Sequence, residues 1–212
     1  MREPINDSNE KGTKMTKPQI IIALLTLLIA FSGWGIFIYE RLTSKPKLEG
    51  RILNVITGQM NNPKIPGENL TVFNVYLFIT NSRKFPVYIY DYILEIDKGL
   101  GYQETKQLYG YKPGEKRNFP SKEYNIDIPD YFNTLIYNKK TPVDYGIPLH
   151  GIAPFSTPGN QTEIVPKVKK YRVTVTDVFN RKHVIETRIE DMASIRIMNQ
   201  ISDIRVSRKK KE

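Results

Sequence analysis

The chain of 212 residues contains no cysteine, only two histidines and a single tryptophan. The lack of cysteine excludes disulfide scaffolds, thiolate metal sites, cysteine nucleophiles and thiol lipidation. His150 and His183 do not fall into a spacing typical of metal ligands, and no GxSxG motif supplies an activated nucleophile. The sequence therefore predicts a protein that is not an enzyme and uses no metal or cofactor.

The composition is also not that of a disordered chain, which would contain few apolar and many charged or polar residues. Apolar residues make up 40% and charged residues 25%, and there are 13 Tyr and 9 Phe, so the chain can form a packed core. The formal net charge is +10, but the last eight residues, RVSRKKKE, contain five basic residues and one acidic residue. The rest of the chain is consequently only mildly basic.

One long hydrophobic run stands near the N-terminus. Residues 20–38 contain no charge and as a helix reach about 28 Å, close to the hydrocarbon thickness of a bilayer. We predict a transmembrane helix over residues 20–39, after a polar tail at 1–19. Its apolar side chains serve as the membrane anchor: Ile20, Leu24, Leu28, Phe31, Trp34 and Phe37.

Two alternatives to a membrane span remain open. A buried core helix is one, although such a helix normally carries a polar stripe. A cleaved signal peptide is the other, because Ala30-Phe31-Ser32 is a small-x-small triplet after an apolar stretch. Cleavage there would leave the apolar residues 33–39 as a new N-terminus, so we favour an uncleaved signal-anchor.

The charges beside the run do not decide its orientation, since four basic residues stand before it and four follow it. A short tail and a large C-terminal domain fit a signal-anchor whose tail stays cytoplasmic. We therefore expect a single-pass membrane protein with an extracytoplasmic C-terminal domain. Residues 40–49 form a stalk before that domain.

Residues 50–189 show strand-like patterns separated by Gly, Pro, Asn, Asp and Lys clusters, with no long amphipathic helix between them. We predict an antiparallel β-sandwich, with a barrel as the less favoured alternative. The strands are expected in eight runs: 51–57, 70–80, 86–97, 103–109, 132–138, 149–156, 169–178 and 183–189.

Two pairs of runs predict hairpins. In 70–80 the apolar Phe73, Val75, Leu77 and Ile79 share one face. In 86–97 one face carries Tyr88, Tyr90, Tyr92, Leu94 and Ile96. The polar residues 81–84 between these runs are short enough for a hairpin turn. A second hairpin is predicted where residues 171–177 and the stretch from His183 to Ile189 alternate on both sides of a turn.

Residues 110–131 and 139–148 are rich in Pro and Gly and are expected to be surface loops. Tyrosines in such loops favour protein binding. The candidate partner surface comprises Tyr109, Tyr111, Tyr124, Tyr145 and His150.

The spacing of apolar residues changes in the C-terminal region. Apolar residues recur three apart in 190–204, which predicts a short helix, with a ninth strand as the alternative. Residues 205–212 are expected to be a solvated basic tail. Together with a cluster near residue 170, the tail forms a basic patch that could bind anionic lipid or an anionic polymer, whereas nucleic acid is not expected. The patch comprises Lys167, Lys169, Lys170, Arg172, Arg208, Lys209, Lys210 and Lys211.

The segment 70–81, LTVFNVYLFITN, followed by FPVYIY at 85–90, resembles the first hairpin of immunoglobulin-like modules in membrane-anchored proteins. Both contain an alternating strand ending in Asn, a short polar turn and a Pro-led strand. The resemblance implies a two-sheet sandwich with a binding or assembly role, and it identifies no ligand site. The absence of a cysteine pair and a core tryptophan excludes an antibody-type domain.

Three functions follow from these patterns. The first is a non-catalytic binding or assembly module, displayed outside the cytoplasmic membrane and engaging a protein in the membrane or envelope. The second is a cytoplasm-facing domain that binds anionic lipid through its basic patch. The third is an envelope enzyme in which His150 pairs with Asp144 or Asp177.

Overall fold

A computed structural model describes residues 17–43, 47–120, 124–192 and 204–208. The chain divides into two compact units, Met1–Lys45 and Pro46–Glu212. The first unit contains the helix α1, and the second contains all the strands, so we call the second the β unit.

Helix α1 spans Lys17–Thr43, and its segment Lys17–Tyr39 is long and apolar enough to cross a membrane. None of this segment is buried, which differs from the core helix considered above. The Thr26 hydroxyl donates to the Ile22 carbonyl at 2.8 Å, so a polar group in the apolar run is satisfied within the helix. The six predicted anchor side chains all lie exposed on α1.

The β unit is mainly strand, as predicted. Its strands are β1 (Leu48–Asn61), β2 (Asn69–Asn81), β3 (Ile89–Asp97), β4 (Tyr102–Glu104), β5 (Lys106–Gln107), β6 (Arg117–Pro120), β7 (Tyr124–Ile128), β8 (Leu149–Pro158), β9 (Lys170–Asp177), β10 (Lys182–Arg188) and β11 (Arg205–Arg208). The short helices are α2 (Tyr131–Thr134) and α3 (Gln161–Ile164), each followed by a 3₁₀ turn, at Ile136–Asn138 and Val165–Lys167.

These strands form three antiparallel sheets among the described residues. The first sheet has the order β1-β2-β8-β5, the second β10-β9-β3-β4, and the third β11-β7-β6. The first and second sheets share the main core, to which β2 contributes Phe73, Val75, Leu77 and Ile79, all fully buried. Phe73 meets Tyr171 of the second sheet edge-on at 6.1 Å between ring centroids. The predicted inward face of β2 is thus confirmed.

The predicted hairpin between β2 and β3 is wrong, because these strands belong to different sheets. Residues 82–88 carry the chain from one sheet to the other. The Asn81 amide fixes this crossing by donating to the carbonyls of Phe85 and Val143, at 2.6 and 3.0 Å. The other predicted hairpin is confirmed, since β9 pairs with β10.

Tyr88 and Tyr90 do not join the inward face of β3. The pairing with β9 shifts between Ile89 and Asp91, so Tyr90 is an extra residue that has no partner in the register. Ile89 packs on the core instead, and Tyr90 is 80% exposed.

Residues 110–131 do not form a surface loop as predicted; they supply β6 and β7 of the third sheet. The run 132–138 is likewise helical rather than a strand. Both segments cover the outer face of the first sheet through a second core, which consists of Ile56, Tyr76, Ile126, Ile128, Tyr131, Leu135, Ile152 and Ile204. The first sheet is therefore buried on two faces and forms the middle of three layers.

The C-terminal predictions have two outcomes. Residues 189–191 form a 3₁₀ turn, and most of the predicted helix over 190–204 lies outside the described residues. The predicted solvated tail is wrong in its first half, because β11 pairs with β7 from Arg205↔Asp127 to Arg208↔Tyr124. Residues 209–212 lie outside the described residues.

The first sheet has two distinct ends. At the end that we call lower, Leu48 of β1 lies opposite Asn81 of β2. At the upper end, Asn61 of β1 lies opposite Asn69. Strand β8 runs from the lower end to the upper end, and the short strand β5 pairs only with its upper half.

Candidate functional site

A cleft of about 870 Å³ opens on the outer face of the first sheet, at its upper end. Four strands supply its floor, because residues from β1, β2, β8 and β5 all line it. The third sheet covers the lower part of the same face, so the cleft begins where that cover stops. Residues 62–65 and 108–111 form its sides.

The side next to the third sheet is aromatic. Tyr111 meets Tyr131 edge-on at 4.9 Å between centroids, and Phe119 lies 6.1 Å from the same Tyr131 ring. The Arg117 guanidinium stands 5.4 Å from the centroid of Tyr111 and also pairs with Glu115. This wall offers a ligand aromatic surface beside an arginine–glutamate ion pair.

A buried polar contact joins this wall to the floor. The Tyr131 hydroxyl donates to the Asn74 side-chain oxygen, and the Asn74 amide donates to the Ile56 carbonyl at 3.3 Å. Burial raises the pKa of the Tyr131 phenol above its ordinary value, so the hydroxyl stays a donor. Both side chains line the cleft and are held in fixed orientations.

Tyr109 adds to the aromatic surface of the cleft, and Tyr137 packs behind it. Tyr109 lines the cleft, and its ring lies 5.5 Å from that of Tyr137. The Tyr109 hydroxyl donates to Gln107 at 2.8 Å, which fixes the ring at the rim. Burial, followed by the neighbouring Tyr111, raises the pKa of Tyr137, so its hydroxyl stays protonated. Neutral phenols can donate hydrogen bonds without attracting a particular charge.

The opposite rim is formed by the connection between β1 and β2. Asn62 braces this connection through its side chain, which donates to Glu68, and its backbone donates to the Glu68 carbonyl at 2.8 Å. Four more side-chain amides line the cleft, and each also takes part in a hydrogen bond within the chain: Gln59, Gln107, Asn118 and Gln161. Amides next to aromatic rings suit a ligand that has both polar and apolar groups.

Gly58 leaves part of the floor bare. It follows Ile56 by two residues, so its missing side chain would lie on the outer face with Ile56. A Cβ atom at Gly58 would meet no heavy atom within 4 Å. The volume of the cleft therefore depends in part on this glycine.

The structure divides the predicted partner surface. Tyr109 and Tyr111 line the cleft. Tyr145 and His150 lie toward the lower end, since Tyr145 bridges to Asn81 and His150 pairs with Phe78. Tyr124 begins β7, and its side chain is outside the described part.

His150 lies beside a tyrosine on the outer face of the first sheet. Its Nδ1 lies 2.8 Å from the Tyr76 hydroxyl, and the two rings stack at 6.3 Å. Asp177 instead lies beside His183, 3.5 Å from its Nε2, and accepts the backbone N–H of Phe179 at 2.9 Å. Asp177 is thus engaged by His183 and by its own turn, and a pairing of His150 with Asp144 or Asp177 stays a prediction.

The predicted basic patch is partly neutralised. The Arg172 guanidinium binds both carboxylate oxygens of Glu95, at 2.6 and 2.7 Å, and lies 3.7 Å above the Tyr102 ring. The hydrogen bonds that Arg172 donates to Glu95 raise the pKa of the Arg172 guanidinium. Lys170 pairs with Glu186 at 3.4 Å. Lys167 and Lys169 remain exposed, while Lys209, Lys210 and Lys211 lie outside the described residues and Arg208 closes β11.

Sequence reasoning missed Asn74, Arg117 and Gly58 as site residues, whereas Tyr131 was among the tyrosines that it noted beside the expected loops. Asn74 stands alone as a polar residue among the apolar residues of β2, which was a detectable signal of a buried polar contact. Nothing local marked Arg117 or Gly58, because they belong to different sheets and meet at the cleft only in the folded chain. Among the described residues, no group of His, Asp and Glu side chains is arranged to hold a metal ion.

Comparison with known proteins gives no relative from which a role could be transferred. No protein-family model matches the chain, and neither the curated proteins nor the solved structures contain a match. The resemblance to immunoglobulin-like modules thus stays a prediction, and the function has to be argued from the cleft and from α1.

Proposed function

We propose that this chain is a single-pass, membrane-anchored binding module with no catalytic role. Its β unit is displayed outside the cytoplasmic membrane and holds a protein partner in the cleft. The observation that carries the proposal is the cleft itself, a preformed concavity of about 870 Å³ with tyrosine and arginine on its wall. Tyrosine and arginine are enriched at protein interfaces, and preformed clefts are the usual binding sites of rigid scaffolds.

Helix α1 supports the anchoring part of the proposal. Its exposed apolar surface would be unfavourable in water and favourable in lipid.

The two other functions have less support. A cytoplasm-facing lipid-binding domain would use a patch in which Arg172 and Lys170 already pair with carboxylates. An enzyme would use His150, whose Nδ1 lies 2.8 Å from the Tyr76 hydroxyl, and no GxSxG motif supplies a nucleophile beside it.

Site-specific photocrosslinking in the full-length protein in its own membranes tests the binding role of the cleft. Benzoylphenylalanine replaces Tyr109, which lines the cleft, and in a control it replaces Leu100, which is fully exposed elsewhere. We expect a discrete protein adduct from position 109 and none from position 100.

A blocking variant shows whether the adduct depends on the cleft. Gly58→Trp fills the floor without a clash at Cβ, whereas Gly58→Ala leaves most of the volume open. The adduct should disappear with Trp and persist with Ala. An adduct that forms equally from position 100, or that survives Gly58→Trp, contradicts the proposal.

The orientation is tested separately with a tag after residue 212. In intact cells, an extracytoplasmic β unit exposes this tag to added protease, and a control tag before residue 1 stays protected. Protection of the C-terminal tag would exclude display outside the cytoplasmic membrane.

A further inference from the structure

The lower end of the β unit is the end from which the chain leads to α1. The Lys47 carbonyl accepts the Ser82 N–H there at 3.1 Å, one residue before β1 begins. Residue 47 is the fourth residue after Thr43, where α1 ends. Four residues reach about 14 Å at most when fully extended. If α1 spans a membrane, the lower end therefore cannot move far from the bilayer surface.

Four segments make up this lower face: residues 47–49, 81–88, 143–147 and 178–182. Hydrogen bonds hold them together. The Asn81 carbonyl accepts the Gly146 N–H, and the Tyr88 carbonyl accepts the Val178 N–H at 3.1 Å. The pair Val87 and Val143 exchanges two further backbone hydrogen bonds. The lower face is consequently a single surface built from both main sheets.

The lower face is aromatic and largely uncovered. Among the exposed aromatic side chains described in the β unit, four belong to it, and only Tyr90 and Tyr109 lie elsewhere. Phe179 is 67% exposed at the tip of the β9–β10 turn. Exposed Ile147 and Val178 add to this surface, whose aromatic members are Phe85, Tyr88, Tyr145 and Phe179. Aromatic rings at the end of a membrane span prefer the headgroup region.

The charge of this face complements anionic headgroups. Its segments carry five basic side chains and two acidic ones, and Glu49 pairs with Lys47 at 2.6 Å. Asp177 adjoins the face but is buried and accepts backbone N–H groups of the turn, including that of Arg181 at 2.9 Å. The basic residues are Lys47, Arg83, Lys84, Arg181 and Lys182.

We propose that the lower face binds the surface of the membrane that α1 spans. The aromatic rings lie among the lipid headgroups, and the basic side chains contact anionic ones. Because the cleft opens at the opposite end of the first sheet, this docking holds its mouth away from the bilayer. The inference rests on the anchoring part of the proposed function and does not depend on what the cleft binds.

The absence of cysteine makes a direct test possible. An environment-sensitive fluorophore is attached to Ser82→Cys on the lower face or to Thr162→Cys, an exposed position in α3 at the upper end. Each full-length protein is reconstituted into phosphatidylcholine vesicles with and without phosphatidylserine. Brominated lipids should quench the label at 82 and not the label at 162, with stronger quenching when phosphatidylserine is present and less at high salt.

Surface variants link the quenching to the aromatic side chains. The double change Phe85→Ser with Phe179→Ser should abolish the quenching at position 82, and Leu100→Ser, which removes an exposed apolar residue elsewhere, should leave it unchanged. Equal quenching at both label positions, or none at either, would overturn the docking. Flotation of the same samples keeps the two proposals apart, since a protein that floats with vesicles but shows no quenching at 82 is anchored without docking.

Discussion

Gly58 and Gly151 both lie in strands of the first sheet, but only Gly151 has another segment packed against its backbone. A Cβ at Gly151 would lie 2.6 Å from the Thr134 carbonyl oxygen and 3.2 Å from the Ile136 Cα. The helical turns that replace the expected strand at 132–138 therefore require glycine at this point of β8. At Gly58 the space is open, and it belongs to the cleft.

The two glycines should respond oppositely to the same substitution. Gly151→Ala forces β8 away from the backbone of the 132–138 segment. We expect it to lower the free energy of unfolding by about 2 kcal/mol or more. Gly58→Ala should leave it unchanged or raise it by up to about 1 kcal/mol, because alanine restricts the unfolded chain. Urea unfolding followed by circular dichroism measures both. A Gly151→Ala protein as stable as the parent would mean that β8 and the 132–138 segment do not approach each other in this way.

The hydrogen bond between Tyr131 and Asn74 is the buried polar contact of the cleft. Tyr131→Phe removes the donor and leaves the Asn74 oxygen unsatisfied, which should lower the free energy of unfolding by about 1–2 kcal/mol. Tyr109→Phe, at an exposed hydroxyl, is the matched control and should cost less than about 0.5 kcal/mol. Equal effects in urea titrations of the two variants would refute a special role for the buried contact.

At the scale of elements, the third sheet is what distinguishes this fold from a two-layer sandwich. Its strands β6 and β7 come from a stretch rich in Pro and Gly, and β11 comes from the basic C-terminal region. Ile126 and Ile128 alternate inward from β7 and pack on the outer face of β2 and β8. The layer covers the lower part of that face and so defines the edge of the cleft.

Truncation of Ile128 tests this covering layer. Ile128→Ala removes a fully buried side chain and should destabilise the β unit by about 2–4 kcal/mol. Ile65→Ala removes the same atoms from an exposed position and should change stability by less than about 0.5 kcal/mol. A surface loop at 110–131 would instead make the two variants equally stable in thermal or urea unfolding.

At the scale of the whole molecule, the buried tyrosines should make the folded protein less stable at alkaline pH. Burial raises the pKa of Tyr92 and Tyr131 above the ordinary value, and that of Tyr171 to about 12. The folded protein therefore keeps protons that the unfolded chain releases above about pH 10. Stability from these groups is fully present below that pH and is lost as the pH rises through the folded pKa values.

Two measurements check this expectation. The buried tyrosines should not change the urea concentration at the unfolding midpoint up to about pH 10. Between about pH 10 and 12 they should lower it. Absorbance at 295 nm should show that part of the 13 tyrosines ionises only when the protein unfolds. Ionisation of all the tyrosines in a single step near pH 10, with secondary structure retained, would contradict the burial of these three side chains.

The sequence alone determined the features that depend on local pattern. Nineteen uncharged positions specify an apolar helix, and alternation specifies the inward residues of β2 and the β9–β10 hairpin, because side-chain period follows directly from backbone geometry. Tyr109 and Tyr111 were predicted as part of a binding surface from their place in a tyrosine-rich stretch, and both line the cleft.

Only the tertiary structure decided which strands pair and what covers the first sheet. β2 and β3 are neighbours in sequence but lie in different sheets, since Asn81 ties the connection to Phe85 and Val143 rather than closing a hairpin. The cleft brings together residues from β1 to α3 that are up to about a hundred positions apart in the chain. The spacing of apolar residues reports only local structure, so it cannot reveal contacts over such a distance. Strand pairing and layer packing depend on which apolar side chains are buried against each other. A single sequence shows which positions are apolar but not which of them are in contact.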